Sequence, residues 1–598
     1  MEGGSYEGSA PEAGSAPTAD LLLGFLSDFR SAAQPSTPNE GDDDEPEPEY
    51  VVAEATADAA FQGAVAPPLQ PAYASSAGDR ESWAPTHAQE AGSPTWPPSI
   101  PLPGYWPAPS PPPAPSNGKS WRPSGRGGLS RRGAVAIAVL AAVTMGAVAG
   151  VAVAQRRGSQ PSYPAAWDPR VAPLAAFVQS QRELKWKHPV KVEFLAPAKF
   201  EARMAKESSP GAKSMSQAQI ALDVMRAIGV ASGNIDLGKA AQQFAQSDVV
   251  GQYVDSDRTV YVSGDQLTPY VQSVLAHELT HALQAQYFDL EKMRSGHADD
   301  DSAVTALIEG DAVRVQNAYE QSLSQADQDL LIQEQQQTSG QATTQNTQSG
   351  IPQFMIDQAE FPYDFGPTFV AALVAKDGNH QVDAAFKNPP VLDGQIVDPE
   401  TFIPGAGVPK VTTPPLPKGA HQALPATGFG EVPLLEMLGD QIGFDQAWSA
   451  VQGWTQDQMV AYSQNGTVCA NIAVLNDSPD SAASLLQAAR AWASHLSSAS
   501  ARQSGATVDF HACDPGPAWK PTTHVADPYQ ALAVRSVLMY QLITDAHVDT
   551  TKSVCAVDQL MTTMGPQKLQ DAEQSTDPSS PAVQDLSAEV ASALSSCS

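Results

Sequence analysis

The sequence predicts an α+β ectodomain carried behind a single transmembrane helix, with a disordered tail ahead of that helix and a smaller α/β region at the far end. Three observations predict it. Residues 133–154 form a run of 22 residues without a charge. An acid- and proline-rich stretch precedes the run, and from about residue 166 onward strand alternation and helix periodicity take over. The chain of 598 residues also exceeds what one compact core usually holds, so unlike segments are expected.

The tail comprises residues 1–132. Its first 116 residues carry 17 acidic side chains and only two basic ones, Arg30 and Arg80, and eleven prolines fall between Pro94 and Pro115. Such a segment cannot bury enough apolar surface to offset its chain entropy, so disorder is expected. One stretch, residues 18–30, differs. Leu21, Phe25 and Phe29 recur every four residues beside Leu22 and Leu26, which makes an apolar helical face. It is either a docking helix for a cytoplasmic protein partner or a chance apolar cluster, and the sequence does not choose.

Residues 133–154 are long enough, at ~1.5 Å per residue, to cross a hydrocarbon core of ~30 Å. Lys119, Arg122, Arg126, Arg131 and Arg132 precede them, whereas Arg156 and Arg157 follow. The larger cationic excess keeps the tail inside. This gives a type II single-pass protein of the cell membrane with its ectodomain extracellular. The small residues Ala152-Val153-Ala154 also resemble a signal cleavage site, but a tail of this length is far too long for a usual signal peptide.

The first ectodomain region is placed at residues 166–403. Residues 190–194 and 259–262 alternate like strands, and 269–286 have helical periodicity through Val271, Val274, Leu275, Leu279 and Leu283. Residues 302–336 read as helical with a break near 322–325, and 333–349, rich in Gln, Thr, Ser and Gly, read as a flexible loop. Prolines in 404–417 mark a connector. The second region, 418–598, is expected to hold a strand at 468–475, a helix at 481–496 and a strand at 507–511. All four cysteines lie there, with no metal-ligand spacing. Outside the cell they suggest two disulfides, with four buried thiols as the alternative. Four cysteines allow three pairings. Cys469 with Cys513 is favoured because their predicted strands can be neighbours, which leaves Cys555 with Cys597.

The chemistry is carried by His277-Glu278-Leu279-Thr280-His281, an HExxH pattern. On a helix, positions i and i+4 share a face, so both imidazoles reach one metal, zinc by this pattern. Glu278 then lies beside the metal, placed to take a proton from an attacking water. With 11 histidines in the chain, the pattern arises by accident in roughly one such sequence per hundred. The plain alternative is two unrelated helical histidines. A third ligand is offered by Glu309, set in the apolar run Ala306-Leu307-Ile308-Glu309-Gly310-Asp311-Ala312, where a carboxylate needs a counter-charge. The small Gly310 and Ala312 would let this helix approach the HExxH helix. Asp301 and Asp311 are candidates to hydrogen-bond a ligating imidazole, and a solvated acid is as good a reading of each. The net charge of −32 argues against a nucleic-acid partner.

Residues 274–290 (VLAHELTHALQAQYFDL), followed by Glu309-Gly310-Asp311-Ala312, resemble the neutral zinc metallopeptidase family of actinobacteria and related bacteria. Residues 249–262, 361–370 (FPYDFGPTFV), 388–402 and 430–454 agree with it, and the likeness runs from about Trp167 to Leu496. The resemblance implies a zincin-like domain of gluzincin type, with His277, His281 and Glu309 as zinc ligands, Glu278 as the base, and a peptide or protein as substrate. Two positions depart from the family. Ala285 stands where Asp is frequent, and Asp398 where His is frequent before the Pro of a later element. If that His serves the oxyanion, Tyr363 is the remaining candidate donor, with a packed aromatic as its alternative. The rival function is a catalytically inactive pseudo-peptidase acting as a cell-envelope binding protein.

Overall fold

The computed structural model describes residues 163–207, 212–237, 250–296, 302–349, 351–520, 528–575 and 580–597. The stretches 18–30 and 133–154 and the side chain of Asp301 lie outside these residues. Among the described residues, no helix is long and apolar enough to cross a membrane.

The fold is mixed α+β. Helix α1 (Ala172–Arg182) leads to strand β1 (Lys191–Leu195), then to helices α2 (Pro197–Glu207) and α3 (Ala212–Ile228) and strands β2 (Gly251–Val254) and β3 (Thr259–Ser263). These strands form a small sheet in the order β1-β3-β2. β1 runs parallel to β3, and β2 pairs antiparallel with it as an edge strand. Helix α4 (Pro269–Tyr287) follows. It starts where the sequence supplies a cap: Thr268 Oγ1 accepts from Val271 N at 3.3 Å, and Pro269 occupies the first turn. Every residue from Val271 to Gln284 except Gln272 is buried, so this is a core helix. Its apolar residues Leu275, Leu279 and Leu283 join Val190, Val260 and Val262 in one cluster.

Next come α5 (Leu290–Gly296), α6 (Ser302–Gln321), α7 (Gln325–Ser349), α8 (Gln353–Asp364) and α9 (Gly366–Lys387). The expected break falls between α6 and α7. The loop expected at 333–349 is not a loop; those residues continue α7. Gln is a good helix former and the stretch contains no proline, so a polar composition did not prevent a helix. Beyond the short helix α10 (Gly394–Val397), the proline-rich connector has no regular structure except at its edges.

The second region contains β4 (His421–Gln422), α11 (Glu431–Ile442), α12 (Phe444–Val451), β5 (Trp454–Gln464), β6 (Thr467–Asn476), α13 (Pro479–Ser494), β7 (Ser500–Ser504) and β8 (Thr507–Cys513). It closes with α14 (Pro528–Thr544), α15 (Thr550–Thr563), α16 (Pro566–Gln574) and α17 (Pro581–Ser596). Its antiparallel sheet has the order β4-β5-β6-β8-β7. The main apolar core runs across both regions, from Val224 through Leu307, Phe365, Leu435 and Trp492 to Leu594. Two polar contacts stitch α3 to the second region. Trp492 Nε1 donates to the Ile228 carbonyl at 3.0 Å, and Arg226 pairs with Asp514 at 2.7 Å.

Both disulfides have the favoured pairing. Cys469 and Cys513 sit opposite each other on β6 and β8, and Cys555 on α15 holds Cys597 at the end of α17. The second bridge closes a loop with a sequence separation of 42 residues. Replacing Cys555 and Cys597 by Ala is expected to lower stability by roughly 2–4 kcal/mol, read as a shift of the denaturant midpoint.

Candidate metal centre

Helix periodicity brings His277 and His281 onto one face of α4, and α6 lays Glu309 against them. The three ligand atoms converge. His281 Nε2 lies 3.0 Å from His277 Nε2 and 3.1 Å from Glu309 Oε2, and His277 Nε2 lies 3.3 Å from Glu309 Oε2. Four-coordinate zinc with bonds of ~2.0–2.1 Å separates its ligands by roughly 3.3 Å, so this triangle fits such an ion. Two imidazoles and one carboxylate also form a donor set that leaves the fourth position open. Among the described residues it is the one group of His, Cys and acid side chains that could hold a metal ion.

The electrostatics agree with a site built for a cation. Burial alone would push the His281 imidazolium down. The facing Glu309 carboxylate, with Glu278 and Gln284, outweighs it and holds the ring up at about 9 without a metal. Burial would likewise raise Glu309, but His281 and His277 hold it well below the usual carboxylate range. A metal would replace the protons that this arrangement otherwise retains.

Each imidazole is oriented from behind by a carboxamide that the sequence reading did not single out. His277 Nδ1 donates to Gln316 Oε1 at 3.0 Å, and Gln316 Nε2 donates to Ser273 Oγ at 3.0 Å and Glu320 Oε1 at 3.2 Å. His281 Nδ1 donates to Gln284 Oε1 at 3.1 Å, and Gln284 Nε2 donates to Asp311 at 2.9 Å. The acceptor at each Nδ1 keeps the proton there, so Nε2 is the nitrogen that would turn to a metal once its own proton is displaced. Asp311 therefore reaches His281 only through Gln284, not directly as the sequence suggested. Buried Arg182 at 2.7 Å and Arg314 at 3.0 Å hold Asp311 ionised against its burial. Spacing was the available signal: Gln284 is one turn beyond His281, and Gln316 two turns beyond Glu309. Gln316→Leu should weaken metal binding about 10–100-fold in a chelator competition titration, because it frees the His277 ring to turn.

Glu278 is buried and is not among the three converging ligands. Its Oε2 accepts from the Tyr253 backbone N–H on edge strand β2 at 2.5 Å, which holds the carboxylate beside the metal position rather than on it. Tyr363 comes from α8. Burial, together with the Glu309 and Glu278 charges and a hydrogen bond to Glu309, raises its phenol well above the usual value, while the Arg294 charge opposes them. The hydroxyl thus stays protonated and able to donate.

Close backbone approach explains how Tyr363 arrives there. A Cβ on Gly310 would lie 2.3 Å from the Gly366 carbonyl, and one on Gly366 would lie 2.3 Å from the Ala306 oxygen. The start of α9 therefore rests directly on α6, and Tyr363, three residues before Gly366, is delivered to Glu309, one residue before Gly310. Gly310 thus serves the approach of α9, not that of the HExxH helix as its size suggested.

The two departures from the family pattern also find places. Asp398 forms an ion pair with buried Arg535, which holds Asp558 at 2.7 Å as well. Ala285 packs half-buried against the main apolar core.

No family model matches this chain, and no curated protein or solved structure does either.

Proposed function

We propose that this chain is a membrane-anchored zinc peptidase that hydrolyses peptide bonds. The observation that carries the proposal is the convergence of His277, His281 and Glu309, with Glu278 beside them and not among them. Zinc, when bound, supplies Lewis-acid polarisation and acidifies a water towards pKa ~7. The remaining work belongs to the chain. Glu278 takes the proton of the attacking water and returns it to the leaving amine. The Tyr363 hydroxyl donates to the oxyanion that develops on the scissile carbonyl. Gln284 and Gln316 keep the two imidazoles aimed.

Anchoring rests on the uncharged run 133–154, and the basic residues ahead of it support a site outside the cell. A second reading, a binding protein without turnover, is favoured by Asp398, which is committed to Arg535 and stands where the resembled family often has His. Metal analysis combined with a broad peptide-library digest separates the two. A peptidase holds about one zinc per chain and cuts peptides, and it loses both on chelation. A protein that holds zinc and cuts nothing is the binding protein.

A further inference from the structure

We propose that the face formed by Tyr163, Trp167, Lys185, Trp186, Lys187 and Arg258 lies against the bilayer and engages anionic phospholipid headgroups. The proposal rests on the reading of residues 133–154 as a membrane span.

Charge is the first argument. The chain as a whole carries −32, yet residues 156–213 contain eleven Lys and Arg against five Asp and Glu, and of these Lys185 and Lys187 stand exposed on the face itself. A local cationic surplus in an acidic protein is what an anionic surface would select.

Geometry is the second. The connection between α1 and β1 and the end of the HExxH helix α4 form one contiguous patch. Tyr163 stacks on His188 with ring centroids 3.3 Å apart, and Trp167 meets Trp186 edge-on at 4.9 Å. Lys187 lies 4.2 Å from the centre of the Tyr287 ring and donates to the Gln286 carbonyl, while Tyr287 donates to the Lys185 carbonyl. Arg258 donates to the Tyr163 hydroxyl. Lys185, Lys187 and Arg258 form no ion pair with a carboxylate among the described residues, whereas nearby Arg170 and Lys191 do, with Asp168 and Glu193. Half-exposed Trp and Tyr beside unpaired cations match the chemistry of the headgroup layer, where amphipathic rings and Lys or Arg both settle.

Chain reach is the third. Tyr163 follows Ala154 by only eight intervening residues, which span at most ~30 Å fully extended. The patch is thus the part of the ectodomain held nearest the end of the apolar run.

The consequence concerns substrate. His281 precedes Tyr287 by six residues on one helix, roughly 9 Å along its axis. The metal centre would then sit close above the bilayer, and its substrates would be polypeptide segments near the membrane.

Hydrogen exchange of the full chain in nanodiscs tests this, with discs of phosphatidylcholine alone against discs that also contain phosphatidylglycerol. Peptides covering residues 163–194 and 285–288 should exchange several-fold more slowly in the anionic discs, and added salt should erase the difference. Lys185→Glu, Lys187→Glu and Arg258→Glu, combined, should also erase it while leaving the thermal transition in place, since each cation contributes roughly fivefold at an anionic surface. If the chain stays with the discs but those peptides exchange alike in both compositions, the surface proposal is overturned and the anchor stands. If the full chain co-purifies with neither kind of disc, the anchor fails and the surface proposal fails with it.

Discussion

Glu278→Gln is expected to keep its zinc and to lose peptide hydrolysis by ~10²–10⁴-fold, the usual contribution of a positioned general base. The substitution conserves shape. Gln retains an oxygen that can accept from the Tyr253 N–H, so the local structure is preserved. It cannot take up a proton at neutral pH, however, and that is the one function removed. The distinguishing feature is the split between the two readouts: metal content stays equal to the parent while turnover falls. A Glu278→Gln protein as active as the parent would end the proposed mechanism even with zinc in place.

Glu309→Ala should behave in the opposite way, with metal, activity and stability falling together. Glu309 supplies the only negative charge in the triangle, and without it two imidazoles 3.0 Å apart face an unneutralised cation. A ligand held at 1,000 times its dissociation constant contributes about 4 kcal/mol of stability, and the variant should forfeit most of that. The thermal transition of the parent should therefore rise on adding zinc, and that of the variant should not. His277→Ala and His281→Ala should follow Glu309→Ala, because each removes one corner of the same triangle. Full zinc and full activity in purified Glu309→Ala would remove the third ligand from the account.

Much of the architecture could be read from local pattern. The alternation at 190–194 and 259–262 became β1 and β3 within a residue at either end, and the periodicity at 269–286 became α4. These elements are set by their own side chains and by caps such as Thr268. The metal triangle was legible for the same reason: i, i+4 spacing fixes the two histidines, and a carboxylate within an apolar run demands a cation. What the sequence hid depends on contacts between distant segments. Gln316 looks like an ordinary solvated helix residue until the buried ring of His277, 39 positions earlier, is placed against it. Gly310 is small for the sake of Gly366, 56 positions later, and no local rule connects the two. The shared core, in which Trp492 reaches back to Ile228, likewise emerges only when the chain is folded. Polar composition misled in one place, at 333–349, because Gln serves a solvated helix as readily as a loop.

The most direct test of the central claim is X-ray absorption at the zinc edge on the purified full chain. The account predicts about one zinc per chain with a first shell of nitrogen and oxygen at ~2.0–2.1 Å, no sulfur, and the outer-shell pattern of two imidazoles, all of it lost in Glu309→Ala. A metal-free chain, a sulfur shell, or a spectrum unchanged by Glu309→Ala would contradict it.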